Sequence, residues 1–291
     1  MGIRNRVLLT TGVLTAVTVA AVGVGSYELS RLAALRDAKE KGRIIFKTME
    51  GIQNNFMAAQ RPLLAKVVEK ERFYPELMSG AVITRMVWDQ LAQGLPGYQF
   101  KQAAMDPRWE PNRADANEIQ IIHAFRADAA LKSQEGQVGR EGEPFYYYAT
   151  PRNTGKGCLT CHSEPEAAPK DQVAIYGADR AYHWKEGEVN AAFVVYVPLG
   201  PALDEARTSA LWLLAVAGAG LLLALLANWV LLDRAVVRPI VALSVRTDEI
   251  SMGRRLDEKI PVTGDGEIRT LTHAVERLRV TIAKMLKRSA A

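Results

Sequence analysis

The chain has 291 residues, of which 48% are hydrophobic, 24% are charged and only two are cysteine. This composition excludes an intrinsically disordered chain, which would be poorer in apolar residues, and a disulfide-rich scaffold. The formal net charge is +5, yet residues 29–208 carry equal numbers of basic and acidic side chains, so the excess lies in the flanking segments. A basic nucleic-acid-binding core is therefore excluded, and no nucleic-acid partner is expected.

Two uncharged apolar runs are long enough to cross a membrane. Residues 7–27 and residues 210–232 contain no charged side chain, and a helix needs about 20 apolar residues to cross the hydrocarbon core. A cleaved signal peptide usually has a shorter apolar region, so the first run is interpreted as a permanent anchor. A buried core helix, the alternative for the second run, would rarely be so uniformly apolar.

The basic residues that flank the two runs predict the topology. Arg4 and Arg6 precede the first run, whereas Arg234 and Arg238 follow the second. Because basic flanks favour the cytoplasmic side, both termini are expected in the cytoplasm and the central region in the periplasm. The sequence thus predicts a two-pass protein of the bacterial inner membrane.

Both cysteines of the chain lie in one motif, Cys158-Leu159-Thr160-Cys161-His162. Two thiols at this spacing can each add to one vinyl group of a haem, and the adjacent imidazole can reach the iron as its proximal ligand. A redox-active cysteine pair does not explain the histidine, and a zinc site would need further ligands that a second cysteine pair usually supplies. The motif predicts one covalently attached haem c, which agrees with the expected periplasmic location.

The sequence leaves several candidates for the second axial ligand of the iron. Met57 is favoured because it lies beside, not within, an apolar stripe whose 4-3-4 spacing is typical of helix pairing. That stripe consists of Ile45, Met49, Ile52 and Phe56. Most methionines fill protein cores, so Met49 is interpreted mainly as a packing residue; it stays an alternative with His123 and an open or water-bound iron. The remaining candidates considered are Met78, Met86, Met105 and His183, the last in an expected surface turn.

The central region is predicted to contain both helices and strands. Composition and spacing predict helices over residues 29–70, 81–94 and 116–131. Runs rich in aromatic and β-branched residues predict strands over residues 145–149 and 191–197. Proline and asparagine mark residues 106–113 as a loop.

From about Gly42 to Leu199 the chain resembles the family of c-type-haem PAS-like sensory domains. The matching pieces are Arg61-Pro62-Leu63, Asp106-Pro107-Arg108, Asn112-Arg113-Ala114-Asp115, the Cys158–His162 motif, Gly187-Glu188 and Val197-Pro198-Leu199. The resemblance implies an α+β fold, with haem in the pocket of a PAS-like antiparallel sheet flanked by helices. It also implies that the distal iron ligand comes from the N-terminal helix, which favours Met57. Asn190 departs from the glycine that the family pattern leads us to expect.

Two arginines in the matched loop are candidate contacts to the haem propionates. Arg108 and Arg113 qualify because a guanidinium group can pair with a carboxylate through two parallel hydrogen bonds. The alternative for each is an ordinary solvated loop charge.

The C-terminal segment is predicted to form two helices joined by a connector. The first apolar run comprises Ile240, Leu243, Thr247 and Ile250, and the second comprises Ile268, Leu271, Val275, Leu278, Ile282 and Met285. The second run has the spacing of a coiled-coil seam, and Leu256, Ile260 and Val262 are expected to anchor the connector. This pattern, with Gly266-Glu267-Ile268 opening the second helix, is similar to a HAMP domain. The resemblance implies a parallel four-helix bundle made by two chains; a helix lying on the membrane surface is the alternative.

The leading hypothesis is a membrane-bound haem-c sensor. It would transmit a periplasmic redox or diatomic-gas signal through HAMP to a separate cytoplasmic signalling protein, because no output domain is recognised in the chain and His273 is not a credible phosphoacceptor. The alternatives are a membrane-anchored monohaem c-type cytochrome for electron transfer and weak peroxidase-like chemistry, although no enzyme is expected. The predicted segments are a cytoplasmic N-terminus (1–6), a transmembrane helix (7–28), a periplasmic sensor domain (29–208), a second transmembrane helix (209–232), a cytoplasmic HAMP domain (233–288) and a tail (289–291).

Overall fold

The computed structural model describes residues 3–261 and 265–289. Val262 of the predicted connector, residues 1–2 of the predicted N-terminus and residues 290–291 of the predicted tail lie outside the described residues. The chain divides into two compact units, Glu28–Arg207 and Met1–Tyr27 with Thr208–Ala291.

The described part of the chain contains ten α-helices. They are α1 (Ile3–Asn55), α2 (Arg61–Val67), α3 (Pro75–Met78), α4 (Gly80–Leu91), α5 (Ala116–Ala127), α6 (Lys156–His162), α7 (Lys170–Tyr176), α8 (Gly200–Leu232), α9 (Arg238–Ser251) and α10 (Gly266–Ser289). A π-helical turn, Phe56–Gln60, separates α1 from α2, and a second, Asp233–Val237, separates α8 from α9. The predicted helix over residues 29–70 is therefore interrupted at the turn that contains Met57.

The Glu28–Arg207 unit is built on a four-stranded antiparallel sheet. Its strands are β1 (Gln99–Ala104), β2 (Gln134–Arg140), β3 (Glu143–Asn153) and β4 (Val189–Pro198), and their spatial order is β1-β4-β3-β2. The two predicted strands lie within β3 and β4. The sheet and its flanking helices confirm the predicted α+β fold.

Helices cover both faces of the sheet because the central strand β4 is apolar on both sides. Successive side chains of a strand point to opposite faces, so Phe193 and Val195 pack in a core with Met49 of α1. Val194 packs in a second core with Ile122 of α5. Met49 is fully buried in the first core, which confirms its interpretation as a packing residue.

A buried carboxylate ties α5 to the sheet. The Glu118 side chain is fully buried, and its Oε2 accepts hydrogen bonds from Lys101 Nζ at 2.7 Å and from the Asp115 backbone at 2.9 Å. Its Oε1 accepts a 2.8 Å hydrogen bond from the Tyr196 hydroxyl and a 3.3 Å hydrogen bond from Arg140. A charge taken out of water is tolerated only when its partners replace the lost hydration. Glu118 therefore has the environment of a structural ion pair.

We expect Glu118→Ala to lower the free energy of unfolding by about 3–5 kcal/mol, because it removes one partner of a buried pair and deprives Lys101 and Tyr196 of their carboxylate partner. Chemical denaturation of the full chain in detergent, followed by tryptophan fluorescence, measures the change. Glu186→Ala, at an exposed position, is the matched control and should shift stability by no more than about 0.5 kcal/mol. Equal stability of both variants would contradict the structural role.

Two helices in the described part of the chain are long and apolar enough to cross a membrane. The helices Asn5–Val67 and Gly200–Ser251 each contain an apolar stretch of membrane-spanning length that is almost entirely exposed. Within their unit, α1 and α8 touch where α1 has glycine, because a Cβ placed on Gly23 would clash with the Leu214 side chain. Small residues let membrane helices approach closely, so Gly23 sets the separation of the two helices at this point.

The C-terminal helices enclose a small core of their own. Leu243, Ile250 and Ile260 are buried together, with Leu256, Val275 and Ile282 packed against them. The predicted anchoring of the connector by Leu256 and Ile260 is thus confirmed. The apolar residues predicted to form one seam of α10 fall into two groups. Val275 and Ile282 pack against this core, whereas Leu271, Leu278 and Met285 remain 46%, 49% and 63% exposed.

Candidate functional site

A cavity of about 370 Å³ in the Glu28–Arg207 unit brings the chemistry-bearing residues together. Its lining includes Met57, Arg61, Cys158, Cys161 and His162. The volume lies in the range of about 300–1,000 Å³ that is usual for cofactor and small-molecule pockets. The residues come from the π-helical turn, α2 and α6, so the fold gathers segments separated by about a hundred positions.

The short helix α6 places both cysteines and the histidine of the motif beside one another. Residues three and four apart share a helix face, so Cys158 faces the same side as Cys161 and His162. Burial raises the pKa of the Cys161 thiol, against the smaller opposing effect of the nearby Arg61 guanidinium. The thiol is therefore neutral at neutral pH. It lies half-buried, at the cavity wall rather than in the packed core.

The imidazole of His162 is held neutral and in one orientation. Burial, helped by the positive charge of Arg108, lowers its pKa to about 4. Nδ1 lies 2.7 Å from the Ala181 carbonyl oxygen, so Nδ1 carries the proton and donates it to that hydrogen bond. Nε2 then keeps its lone pair. A histidine that binds a metal commonly has this arrangement, with its other ring nitrogen donating to a carbonyl.

The loop 180–184 closes over the end of α6 and fixes the imidazole. The backbone N–H groups of His183 and Trp184 donate to the Ser163 and His162 carbonyls, at 2.7 and 3.0 Å. The indole of Trp184 stacks on the His162 ring, with centroids 4.0 Å apart and planes 7° from parallel. The loop thus provides both the hydrogen-bond acceptor and the stacking surface for the imidazole.

Ala181 has a backbone conformation that non-glycine residues rarely adopt. Its φ is +56°, in the left-handed region, and such a residue persists only where its surroundings fix it. The Ala181 N–H donates to Asp106 Oδ2 at 2.9 Å, and Arg108 donates to the Ala181 carbonyl at 3.2 Å. The strained conformation aims the Ala181 carbonyl at His162, so the loop 106–108 and the loop 180–184 together orient the predicted iron ligand.

The two predicted propionate contacts differ in their positions. Arg108 lines the cavity, but it also donates to the Cys161 carbonyl at 2.7 Å and to the Arg180 carbonyl at 3.2 Å. Burial lowers the pKa of its guanidinium group. Arg113 does not line the cavity; its Nε donates to Glu110 Oε1 at 2.5 Å, and its side chain is 44% exposed. The structure therefore brings Arg108 to the cysteine motif and leaves Arg113 outside the cavity.

Met57 lies in the π-helical turn and faces the cysteine motif. Its Sδ is 3.8 Å from Arg61 Nη1, which donates to the Gly157 carbonyl at 2.9 Å. Arg61 Nη2 is 3.9 Å from Cys161 Sγ. Single π-helical turns within α-helices occur frequently at functional sites. The structure thus places the favoured methionine in the same cavity as His162.

The other candidates for the second iron ligand are less well placed. His123 is exposed on α5, and His183 is exposed and pairs with Glu164. Met86 is 47% exposed, and Met105 packs against the second core. Met78 lines the cavity, but it lies on the four-residue helix α3 and its Sδ accepts a 3.4 Å hydrogen bond from the Tyr74 N–H.

The cavity carries an excess of positive charge. Four guanidinium groups line it, and Asp106 is the single carboxylate among its described lining residues. No described carboxylate lies within ion-pairing distance of any of the four, which belong to Arg61, Arg85, Arg108 and Arg152. Arg152 lies over the Phe193 ring at 4.4 Å, and burial lowers its pKa. Such a cavity suits an anionic ligand, and sequence reasoning missed Arg152 because one arginine in a strand has no motif around it.

The departure at Asn190 coincides with an irregularity in β4. Arg152 pairs with Ala191 and Asn153 pairs with Val189, so Asn190 is the extra residue of a β-bulge. Its side-chain amide donates to Thr154 Oγ1 at 3.1 Å and lines the cavity. A glycine at this position could not make this side-chain hydrogen bond.

The fold and its flanking helices define a membrane sensor-type signalling protein, with an α+β domain between two candidate membrane helices. The chain belongs to the Tll0287-like family, whose model matches residues 31–198. A HAMP domain model matches residues 234–284. These matches confirm both resemblances noted in the sequence, and the HAMP match with the two apolar helices fits a two-pass inner-membrane protein.

A solved structure is also similar to this chain. It is the crystal structure of the cyanobacterial haem protein Tll0287, which is 19% identical and has a TM-score of 0.43; the similarity covers 55% of this chain and 95% of that one. A comparison with curated proteins finds no match.

Proposed function

We propose that this protein is a membrane-bound haem-c sensor that transmits a periplasmic redox or diatomic-gas signal through its HAMP domain to a separate cytoplasmic partner. The observation that carries the proposal is the meeting of two cysteine thiols with a neutral imidazole in one cavity of a Tll0287-like domain. The arrangement of a sensor domain and a HAMP domain, rather than a set of catalytic groups, argues against an enzyme.

The residues of the cavity fit one haem c. Cys158 and Cys161 would hold it through thioether bonds, and the free Nε2 of His162 would bind the iron. When bound, the haem supplies an iron that changes oxidation state and takes small ligands. The protein itself orients the imidazole, because Ala181 and Trp184 hold the His162 ring in place without the metal.

The charge of the cavity supports the same cofactor. A haem carries two negatively charged propionates, and the cavity that would hold it is lined by four arginines and, among its described lining residues, a single carboxylate. Arg108 remains a predicted contact to the haem propionates, and its N–H groups also donate hydrogen bonds to backbone carbonyls. Arg152, which has no hydrogen-bond or ion-pair partner among the described residues, is a better-placed candidate than Arg113.

Met57 is proposed as the distal ligand of the iron. It lies in the helical turn that follows α1, and α1 contains the first apolar span. A change at the iron that alters Met57 would therefore act on the chain directly connected to that span. Signalling requires an element with two states that the ligand favours differently, and we assign that role to the HAMP helices.

A second copy of the chain is proposed as the partner that completes the HAMP bundle. Leu271, Leu278 and Met285 of α10 are exposed in one chain, at the spacing of a coiled-coil seam. The intervening Val275 and Ile282 pack against the chain's own core. A second α10 would cover the exposed half of the seam, so we propose a homodimer with the HAMP domain in the cytoplasm and residues 29–208 in the periplasm.

The proposal is tested by cross-linking at Leu271 in both oxidation states of the haem. A Leu271→Cys chain in native membranes should form dimers with a bifunctional maleimide, and the yield should differ between oxidised and reduced samples. Arg277→Cys, exposed on α10 but off the seam, is the matched control and should cross-link poorly. Cross-linking yields at Leu271 that do not change with the oxidation state of the haem would favour a membrane-anchored cytochrome. Absence of cross-linked dimers would exclude the HAMP bundle.

A further inference from the structure

One guanidinium group of the cavity lies directly beside the sulfur of Met57. Arg61 Nη1 is 3.8 Å from Met57 Sδ, and the same nitrogen donates to the Gly157 carbonyl oxygen at 2.9 Å. The other terminal nitrogen, Nη2, is 3.9 Å from Cys161 Sγ. The guanidinium group is therefore held between the proposed distal ligand and the cysteine motif.

Gly157, in the first turn of α6, leaves room for both side chains. A Cβ built on Gly157 would be 3.4 Å from Arg61 Nη1 and 3.8 Å from Met57 Cε. Arg61 and Met57 thus meet α6 at one point. The hydrogen bond from Arg61 to the Gly157 carbonyl does not involve Met57, so the guanidinium group keeps this anchor when the sulfur moves away.

The hydrogen-bond donors of Arg61 have mostly weak acceptors around them. A guanidinium group has five N–H donors, and a thioether or thiol sulfur is a weak acceptor, so Met57 and Cys161 satisfy these donors poorly. Asp106, the carboxylate among the described lining residues, accepts from the Ala181 N–H instead. Arg61 is half-buried, and its remaining donors are open to water or to a ligand in the cavity.

We propose that the Arg61 guanidinium group binds a small anion that takes the place of the Met57 sulfur on the oxidised iron. The inference rests on the proposed haem site and deepens it by naming the ligand class. That class is a small inorganic anion, such as azide or cyanide, whose negative charge extends beyond the atom bound to iron. A cationic donor stabilises such a charge through a charge-assisted hydrogen bond, whereas carbon monoxide is uncharged and serves as the contrast. Because the anion binds the oxidised state in preference, it also stabilises that state by mass action.

The test measures azide affinity in the oxidised protein and carbon monoxide affinity in the reduced protein. Full-length chains in detergent are titrated optically, in the native background and in a Met57→Ala background that leaves the iron position accessible. Arg61→Leu should weaken azide binding about 10- to 100-fold in both backgrounds, the effect of losing a hydrogen bond to a charged group. Carbon monoxide affinity should change much less, because this ligand has no net charge for the guanidinium group to stabilise.

Three further variants separate a local contact from a general effect of charge. Arg61→Lys keeps a cationic donor and should restore part of the azide affinity. Lys66→Leu removes a positive charge from an exposed position of the same helix, α2, and should leave the affinity unchanged. Where Arg61→Leu does not retain haem, Arg61→Gln replaces it, because glutamine keeps an N–H donor for the Gly157 carbonyl but lacks the charge; it should also lower azide affinity.

The outcomes distinguish the inference from the function on which it rests. Azide affinity that is the same with and without the Arg61 charge would overturn the inference. An equal loss of azide and carbon monoxide binding would overturn it too, as would an equal loss of azide binding in Lys66→Leu. Absence of covalent haem from the wild-type chain would instead overturn the proposed function, and the inference with it.

Discussion

Replacing Cys158 and Cys161 together with serine is expected to abolish covalent haem. The proposed attachment would add each S–H across one vinyl group of the haem, with a carbon–sulfur bond formed and the hydrogen passed to the other vinyl carbon. A serine hydroxyl does not add in this way at neutral pH because it is a far weaker nucleophile. The double variant should therefore lose all haem staining on denaturing gels, whereas each single variant should keep one thioether and reduced staining.

The control for this experiment lies inside the motif. Thr160→Ala changes an exposed residue of α6 between the cysteines and should leave staining unchanged. The hydroxyls of serine are close in size to the thiols, so the double variant should still reach the membrane at normal levels, which an immunoblot verifies. Staining that survives in the double variant would refute covalent attachment at this motif.

The parts of the site that sequence reasoning found are those in which chemistry dictates local spacing. Cys158, Cys161 and His162 would have to lie within one turn to hold one porphyrin, so a motif of five consecutive residues is enough to predict them as a group. The residues that orient them are dispersed. Ala181 and Trp184 have no pattern of their own, because a backbone carbonyl and a stacking ring act through position alone. Only the fold brings them to the imidazole.

The same distinction explains which strands could be predicted. β3 and β4 contain aromatic and β-branched runs that fit a buried sheet. β1 (Gln99–Ala104) and β2 (Gln134–Arg140) are rich in glutamine, alanine and glycine, and they are the two edges of the sheet. Edge strands form because of pairing with a neighbour rather than because of their own composition. The positions of β1 and β2 are therefore determined by pairing between strands distant in sequence, which local residue propensity does not reveal.

The C-terminal segment illustrates what periodicity can and cannot establish. Its 3-4 spacing predicted the helix α10, which the structure contains, and the connector anchors were found correctly. The spacing did not predict that alternate members of the seam pack within one chain. That division depends on α9 and on Ile260, which approach one side of α10 only.

The π-helical turn at Met57 was also beyond sequence reasoning. One extra residue per turn shifts the side chains that follow to a new face, and composition carries no signal for it. Met57 lies in this turn and lines the cavity together with residues of α6, whereas Met49 and Phe56 are buried in the core.

Met57→Ala is expected to convert the iron from a low-spin to a high-spin or water-bound state, because alanine lacks the thioether that we propose would bind the iron together with His162. Methionine ligation raises the reduction potential of a histidine-ligated haem, so the midpoint potential should also fall. Absorption spectra of the full-length protein in both oxidation states, with and without carbon monoxide, measure the change. The reduced variant should bind carbon monoxide readily, whereas the wild-type protein should bind it slowly or not at all.

Two variants separate ligation from general disturbance of the cavity. Met78→Ala removes another lining methionine and should leave the spectrum unchanged. Gly80→Ala keeps Met57 but places a methyl group 3.2 Å from its Sδ, which forces the thioether to move by a few tenths of an ångström. It should weaken the iron–sulfur bond and shift the spectrum part of the way towards that of Met57→Ala. An unchanged spectrum in Met57→Ala would exclude Met57 as a ligand. Because Met49 is buried in the core and His123 is exposed on α5, that result would favour an iron without a protein ligand at this position and a gas-sensing role.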